Sequence, residues 1–216
     1  LEKIIDLAPS ILYIVEGSLI TLKYSIISVF FGLIIGVLLA VCKTSRFIFF
    51  RYFADFYTSI FRGTPLLIQL SIIYFITPSI LGIKLTVFTA GVLAFSLNSG
   101  AYVSEIIRAG IEAVDKGQFD AARALGIPNY LAMKDIILPQ AIRKILPSLI
   151  NELVNLLKES AIISILGEAD LMRRAQVVAA EKFDYFTPMI TAAICYYILV
   201  FVFSSLAKII EKRMSL

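Results

Sequence analysis

Residues 18–41 read SLITLKYSIISVFFGLIIGVLLAV, an apolar run in which Lys23 is the one charged residue. A helix of about 20 apolar residues crosses the hydrocarbon core of a bilayer, which is roughly 30 Å thick. The composition agrees with a membrane span here: 59% of the 216 residues are hydrophobic and 17% are charged, against about 45–50% and 25% in soluble domains. The sequence therefore predicts an all-α integral membrane protein, with residues 1–216 forming a single domain.

Four further stretches are apolar and long enough to cross a bilayer. They cover about residues 53–81, 86–107, 145–166 and 186–207, which makes five predicted transmembrane helices. The second span is interrupted by Gly63-Thr64-Pro65. Thr64 as an N-cap and Pro65 at the first helical position predict that the helix restarts at this break.

The lysines and arginines outside these spans divide unevenly between the two sides of the membrane. Twelve flank the regions after the first, third and fifth spans, and five lie on the opposite side. Positive loops face the cytoplasm, so we expect the amino terminus outside and the carboxyl terminus inside. The net charge of +4 is explained by this sidedness and does not call for a nucleic-acid partner.

Several kinds of chemistry are excluded by what the sequence lacks. It contains no histidine, and Cys42 and Cys195 lie in apolar runs where they act as small hydrophobic residues. No GxxxxGK[ST] motif is present to bind nucleotide phosphates. We therefore expect no enzyme activity, metal or cofactor on this chain. Because five helices are too few to enclose a wide passage, a transport role requires a second copy or a homologous partner.

The connection between the third and fourth spans, residues 108–144, is too long to be a plain loop. Residues 118–125 are rich in helix-forming residues, and Gly126 predicts the end of that helix. Residues 130–138 predict a second helix that ends at Pro139. Two short helices form a knob suited to docking a soluble partner, although a helix lying flat on lipid headgroups has the same composition.

The same connection carries a recognisable motif. Asp120-Ala121-Ala122, Gly126 and the run Ile136 to Pro139 resemble the EAA loop of bacterial ABC importer permeases, which reads EAA, three residues, Gly, nine residues and I-x-L-P. Asp120 stands where that family usually has Glu, which keeps the negative charge. Residues 62–65, 101–110 and 158–160 resemble the polar amino acid uptake subfamily, and the likeness covers about residues 10–215.

This resemblance implies a type I ABC importer permease fold in a bacterial plasma membrane, with residues 108–144 as the coupling loop. It implies three partners: a cytoplasmic ABC ATPase dimer that holds ATP and Mg, a second permease copy as homodimer or heterodimer, and an extracytoplasmic substrate-binding protein. Residues 167–184 are the candidate segment for the binding protein. The residues expected to contact the ATPase are Asp120, Ala121, Ala122, Arg123 and Gly126.

Polar groups inside the spans are costly, at about 2.5–3.5 kcal/mol for each charge, so they favour cavities or partners. At 100° per residue, three sets each share one helix face within about 60°. They are Ser148, Glu152, Asn155 and Glu159 in span four; Asn98, Tyr102 and Glu105 in span three; and Arg62 with Gln69 in span two. We expect Arg62, Glu105, Lys158 and Glu159 to be structural charges that pair between helices.

Glu152 has no cation on its own helix face, so a positively charged substrate group would suit it. The broken second span offers a positive helix end to the carboxylate of an amino acid, with a simple kink or gate as the plainer interpretation. The predicted substrate-binding residues are Glu152, Asn155, Asn98, Tyr102, Thr64, Gln69 and Ser71.

Together these features predict the permease subunit of an ATP-driven importer of polar amino acids, with basic ones (Arg, Lys or His) preferred. Translocation would proceed by alternating access driven by the separate ATPase. Two alternatives stay open: a gradient-driven amino acid carrier or channel subunit, and an ABC permease for glutamine or glutamate.

Overall fold

Ten α-helices and three short helical turns of other types make up the part of the chain that the structure describes. The computed structural model describes the backbone of residues 2–214 and the side chains of residues 8–213. In chain order the α-helices are α1 Glu2–Thr44, α2 Ile48–Gly63, α3 Leu66–Ser71, α4 Thr77–Leu81, α5 Val87–Glu112, α6 Lys116–Ala124, α7 Asn129–Leu131, α8 Leu138–Glu159, α9 Leu171–Lys182 and α10 Phe186–Met214. The other turns are π-helical at Ile72–Ile76 and Ala132–Ile137 and 3₁₀ at Ser160–Leu166. No strand lies between residues 2 and 214, so the predicted all-α architecture is confirmed.

Within these residues, three helical stretches are long and apolar enough to cross a membrane. They are Ala8–Thr44, Val87–Glu112 and Phe186–Arg213. Helices α2 to α4 add a fourth span if the bent pair is counted as one. α8 is not among them because its 22 residues include five charged ones. The prediction of five spans therefore rests on α8 crossing as a polar helix inside an assembly.

The connection between α5 and α8 contains two short helices, α6 and α7, as the sequence predicts, and it packs against both flanking helices. We call residues 116–137 the knob, and the opposite end of the bundle, where α5 begins, the distal end. Ile137, Ala141 and Ile145 form a buried cluster with Val114 at the base of the knob. The prediction that Pro139 ends the second loop helix is wrong: the π-helical turn Ala132–Ile137 passes directly into α8, and Pro139 lies in the first turn of α8.

The main core lies where α1, α3, α5 and the end of α8 meet. Its most deeply buried large side chains are Tyr24, Leu70, Phe95, Leu156 and Ile163. Around this core, α1, α2 and α10 expose many large apolar side chains on their outer faces. Such faces are stable in lipid and explain the unusual hydrophobicity of the sequence.

Gly17 marks the close crossing of α1 and α9. A Cβ at position 17 would stand 2.7 Å from Leu171 Cα and 2.8 Å from Leu171 N. Because these are backbone atoms of a fully buried residue, the two helices would have to separate. We expect Gly17→Ala to lower the free energy of unfolding by about 1–3 kcal/mol, measured as a lower thermal unfolding midpoint of the purified protein in detergent.

Gly63 provides the matched control for that substitution. A Cβ at Gly63 meets no atom within 4 Å, so Gly63→Ala should leave the unfolding midpoint unchanged. If Gly17→Ala unfolded at the same temperature as the unsubstituted protein, the close crossing of α1 and α9 would be contradicted.

Candidate transport pathway and coupling site

A sharp bend divides the predicted second span. α2 ends at Gly63, α3 begins at Leu66, and the two helical halves differ in direction by 104°. The break is therefore where the sequence predicts it, but the prediction that Thr64 caps the next helix is wrong. Pro65 is the N-cap residue. Thr64 Oγ1 instead donates a hydrogen bond to Ile60 O at 2.8 Å, back into the last turn of α2.

Gln69 and Asn98 brace this bend from the protein interior, where both are buried. Gln69 Nε2 of α3 lies 2.9 Å from Phe61 O and 2.9 Å from Thr64 Oγ1, and so donates across the break to acceptors at the end of α2. Asn98 Nδ2 donates to Phe61 O and to Gln69 Oε1, both at 3.0 Å. The structure thus brings three of the predicted substrate-binding residues together, with their amide donors directed at protein acceptors.

Glu105 lies at the centre of a charge cluster near the knob end of the bundle. Lys43 Nζ donates to Glu105 Oε1 and, at 2.9 Å, to Thr58 Oγ1. Arg108 Nη2 lies 2.9 Å and Arg62 Nη1 3.7 Å from Glu105 Oε2. The predicted pairing of Arg62 with Glu105 is present. We call Lys43, Arg62, Glu105 and Arg108 the Glu105 cluster; it ties α1, α2 and α5 together.

Lys43 belongs to this cluster, although its position in the sequence predicts only a cation that flanks the first span. Its side chain is only 8% exposed, because Glu105 and Thr58 enclose it. The signal was its position one turn beyond the apolar run of α1, but nothing in the sequence shows which carboxylate it reaches.

Glu152 is a buried carboxylate on the side of α8 that faces α5. Its residue is 7% exposed, and its carboxylate faces Ser99 of α5. Ser99 Oγ has no hydrogen-bond partner in the described part of the chain. Glu152 forms no ion pair with any described residue. A buried carboxylate without a protein cation is stabilised by a cation that comes from outside the chain.

The remaining predicted substrate contacts have surroundings different from those of the buried Glu152. Tyr102 is at the surface of α5, its ring 5.5 Å from the Arg62 guanidinium. Ser71 donates to Leu67 O within its own helix at 2.8 Å. Asn155 is exposed on α8. No described hydrogen bond joins Glu152 or Asn155 to Tyr102 or to the residues that brace the bend.

α8 carries a second polar feature that the sequence analysis did not isolate. Lys144, Asn151, Asn155 and Lys158 are all exposed, and they share one face within about 60° at 100° per residue. We call this face the α8 polar stripe. Polar side chains along a helix in a bilayer must face protein or water rather than lipid.

Within the knob, the predicted ATPase contacts differ in exposure. Asp120, Ala121 and Arg123 are exposed, but Ala122 is 1% exposed and packs inward, so its side chain does not reach the knob surface. Leu125 and Tyr130 are 78% and 70% exposed beside them. These two residues are not among the predicted contacts, although large apolar residues next to a small-residue helix indicate a binding surface.

Gly126 has a conformational role in the knob. Its φ of +69° lies in the left-handed region, where side chains other than glycine are strained. Ile127 N donates to Ala122 O at 3.0 Å across this residue, which closes α6. Gly126 therefore sets the angle between the two halves of the knob.

Part of the segment at residues 167–184 is occupied by internal contacts. Asp170 is fully buried and caps α9 by accepting a hydrogen bond from Arg173 N at 2.9 Å. Burial raises the pKa of the Asp170 carboxyl to about 6. Arg174 Nη1 donates to Tyr13 O at 2.8 Å and holds α9 against α1. The outward charges left for a partner include those of Arg173 and Glu181.

Comparison with known proteins identifies this arrangement. Residues 32–216 match the family described as the inner membrane component of binding-protein-dependent transport systems. The chain belongs to this family. It is 69% identical over 213 residues to a protein named as a glutamine transport system permease, GlnP, of Rickettsia bellii (strain RML369-C), covering 99% of this chain and 98% of the relative.

Two further relatives narrow the class of this permease. The chain is 51% identical over 206 residues to the arginine transport system permease protein ArtQ of Bacillus subtilis (strain 168), covering 95% of this chain and 94% of ArtQ. A crystal structure of an amino acid ABC transporter with histidines superposes with a TM-score of 0.91 at 42% identity, covering 98% and 97% of the two chains. The chain is thus an amino acid ABC transporter permease.

Membership in this family confirms several predictions from the sequence. The all-helical fold is that of the type I ABC importer permeases, and the chain is a multi-pass component of the inner membrane rather than an enzyme. The gradient-driven alternative is set aside, because the family transports as part of ABC systems.

Proposed function

We propose that this permease imports basic amino acids by alternating access, driven by a separate ATPase. The observation that carries the proposal is Glu152, a buried carboxylate that faces Ser99 and has no ion-pair partner in the described chain. A guanidinium or ammonium group would supply the missing positive charge. We propose Asn155, one turn along α8 from Glu152, as a second contact for the same substrate.

Relatives support two substrate classes. The ArtQ relative is named for arginine, and the superposed transporter structure is described with histidines. The Rickettsia relative is named for glutamine, which makes glutamine the second candidate. The uncharged amide of glutamine would leave Glu152 without a counter-charge, and for this reason we favour a basic substrate.

The bend between α2 and α3 is our proposed position for the α-carboxylate of the substrate. Thr64, Gln69 and Asn98 meet there and already bond to protein acceptors. Binding of a carboxylate would require these hydrogen bonds to rearrange. Substrate binding would then change the angle of the bend, so the same residues would both bind the substrate and gate the pathway. We propose that Ser71 and Tyr102 also contact the substrate.

Partners of three kinds fit the exposed surfaces. We propose that the knob docks in a cytoplasmic ABC ATPase dimer, which binds the ATP and Mg, through Asp120, Ala121 and Arg123 together with Leu125 and Tyr130. The α8 polar stripe would face a second permease copy across the pathway. Residues 167–184 would receive the substrate-binding protein outside, with the amino terminus outside and the carboxyl terminus inside as the sequence predicts.

Stimulation of ATP hydrolysis tests this proposal. The permease would be purified with its ATPase, reconstituted in liposomes with the binding protein, and assayed with Arg, Lys, His, Gln and Glu. We expect the three basic amino acids to raise the hydrolysis rate several-fold and the other two to leave it at the basal level. Stimulation by glutamine alone would contradict basic specificity, and stimulation by none would contradict ATP-driven amino acid import.

A further inference from the structure

Lys23 is a cation on the outer surface of an otherwise apolar membrane span. Its side chain is exposed on α1, within the stretch Ala8–Thr44 that qualifies as a span. Nζ lies 4.4 Å from the centroid of the Phe88 ring of α5. None of the described carboxylates forms an ion pair with Lys23. A cation near the end of a membrane span attracts anionic headgroups, and the described protein offers it no carboxylate partner.

Directly below Lys23, α1 and α5 enclose an apolar groove. Its volume is about 300 Å³, and its wall includes Ile27, Phe31, Val92 and Leu97. Ile27 follows Lys23 by four residues, so both lie on the same face of α1. Phe88, which the Lys23 ammonium contacts, also lines the groove. The cation therefore stands at one mouth of an apolar channel on the bundle surface.

The start of α5 indicates how deep in the membrane the mouth of this groove lies. Thr86 is the N-cap of α5, so Lys23 beside Phe88 lies at the distal end, about 36 Å from the knob end of α5 at 1.5 Å per residue. That separation matches a bilayer core plus part of its interfaces. Thr86 and Thr89 are exposed there, with their hydroxyl oxygens 2.9 Å apart. The Lys23 ammonium at Phe88 and the two hydroxyls thus lie at the same first turn of α5, at the level of lipid headgroups.

We propose that this groove is a binding site for one anionic phospholipid of the leaflet at the distal end. The phosphate lies at Lys23 and the Thr86–Thr89 hydroxyl pair, and an acyl chain fills the groove between α1 and α5. Charge complementarity selects this occupant, because the groove is apolar along its length and cationic only at its mouth. The site is separate from Glu152 and from the bend, so it does not depend on the proposed transport function.

Native mass spectrometry of the complete transporter tests the site. The complex would be titrated in detergent with phosphatidylglycerol and, separately, with phosphatidylcholine. We expect Lys23→Ala to weaken phosphatidylglycerol binding at least fivefold and to leave phosphatidylcholine binding unchanged, whereas Lys23→Arg retains it. Lys84→Ala is the matched control, because Lys84 is exposed in the turn before α5 but does not line the groove.

A second variant tests the groove itself. Val92→Phe fills it while leaving Lys23 in place, and should reduce phosphatidylglycerol binding to a similar extent. Equal phosphatidylglycerol binding by Lys23→Ala and the unsubstituted complex would overturn the proposal. So would a disulfide between two permease copies through Lys23→Cys in membranes, because a second copy of the chain would then cover the groove.

Discussion

Replacing Glu105 by alanine is expected to lower the free energy of unfolding by about 3 kcal/mol, because breaking a buried ion pair typically costs 3–5 kcal/mol. The Glu105 side chain is 19% exposed and forms ion pairs with three cations, which belong to three different helices. Its loss leaves Lys43 buried, with Thr58 and Asp55 as its remaining partners. These two keep the expected effect at the lower end of the range.

Thermal unfolding of the purified protein in detergent would measure this effect. Asp55→Ala is the control: its side chain is 65% exposed, and its oxygen lies 3.4 Å from Lys43 Nζ, so we expect a change under about 1 kcal/mol. The double variant Lys43→Met/Glu105→Leu should recover stability relative to Glu105→Ala, because both charges leave together. Equal unfolding midpoints for Glu105→Ala and Asp55→Ala would contradict the central position of Glu105.

The apolar helices could be predicted closely because their signal is local. The prediction of a span over 86–107 corresponds to α5 at Val87–Glu112, and 186–207 to α10 at Phe186–Met214. Thr86 starts α5 by accepting a hydrogen bond from Thr89 N at 3.1 Å. A long apolar run with a capping residue specifies a helix without reference to the rest of the chain.

The polar residues could be predicted only in part, because their roles depend on partners distant in sequence. Thr64 has a good N-cap side chain, but tertiary contacts turn its hydroxyl back to α2 and towards Gln69. Ala122 belongs to the motif yet packs inward, because the knob folds onto the end of α5. Lys43 reaches Glu105, which lies 62 residues away in the sequence.

Glu152 shows what a pattern within one helix can establish. The absence of a cation on its own face of α8 predicts an isolated carboxylate, and the structure adds no ion pair from neighbouring described helices. Helix periodicity could not show that Ser99 faces it. That contact depends on how α5 and α8 pack.

Glu152→Gln is expected to reduce uptake of arginine by at least about thirtyfold, which corresponds to the roughly 2 kcal/mol that loss of one partner of a buried charge pair costs. Glutamine has nearly the same shape, so packing against Ser99 should be kept and the complex should assemble normally. The measurement is the concentration dependence of arginine uptake into liposomes that contain the complete transporter, with assembly checked by size-exclusion chromatography.

Glu159→Gln is the matched control on the same helix. Lys158 supplies a positive charge that acts on Glu159, whereas Glu152 has no such neighbour, so the Glu159 variant should retain uptake within about threefold, equivalent to roughly 0.7 kcal/mol. A comparable loss of arginine uptake in both variants would contradict a specific role for Glu152, because both carboxylates would then act only through the total charge of α8. Full arginine uptake by Glu152→Gln at unchanged apparent affinity would remove Glu152 from the substrate site, because an amide cannot balance a guanidinium in a buried position.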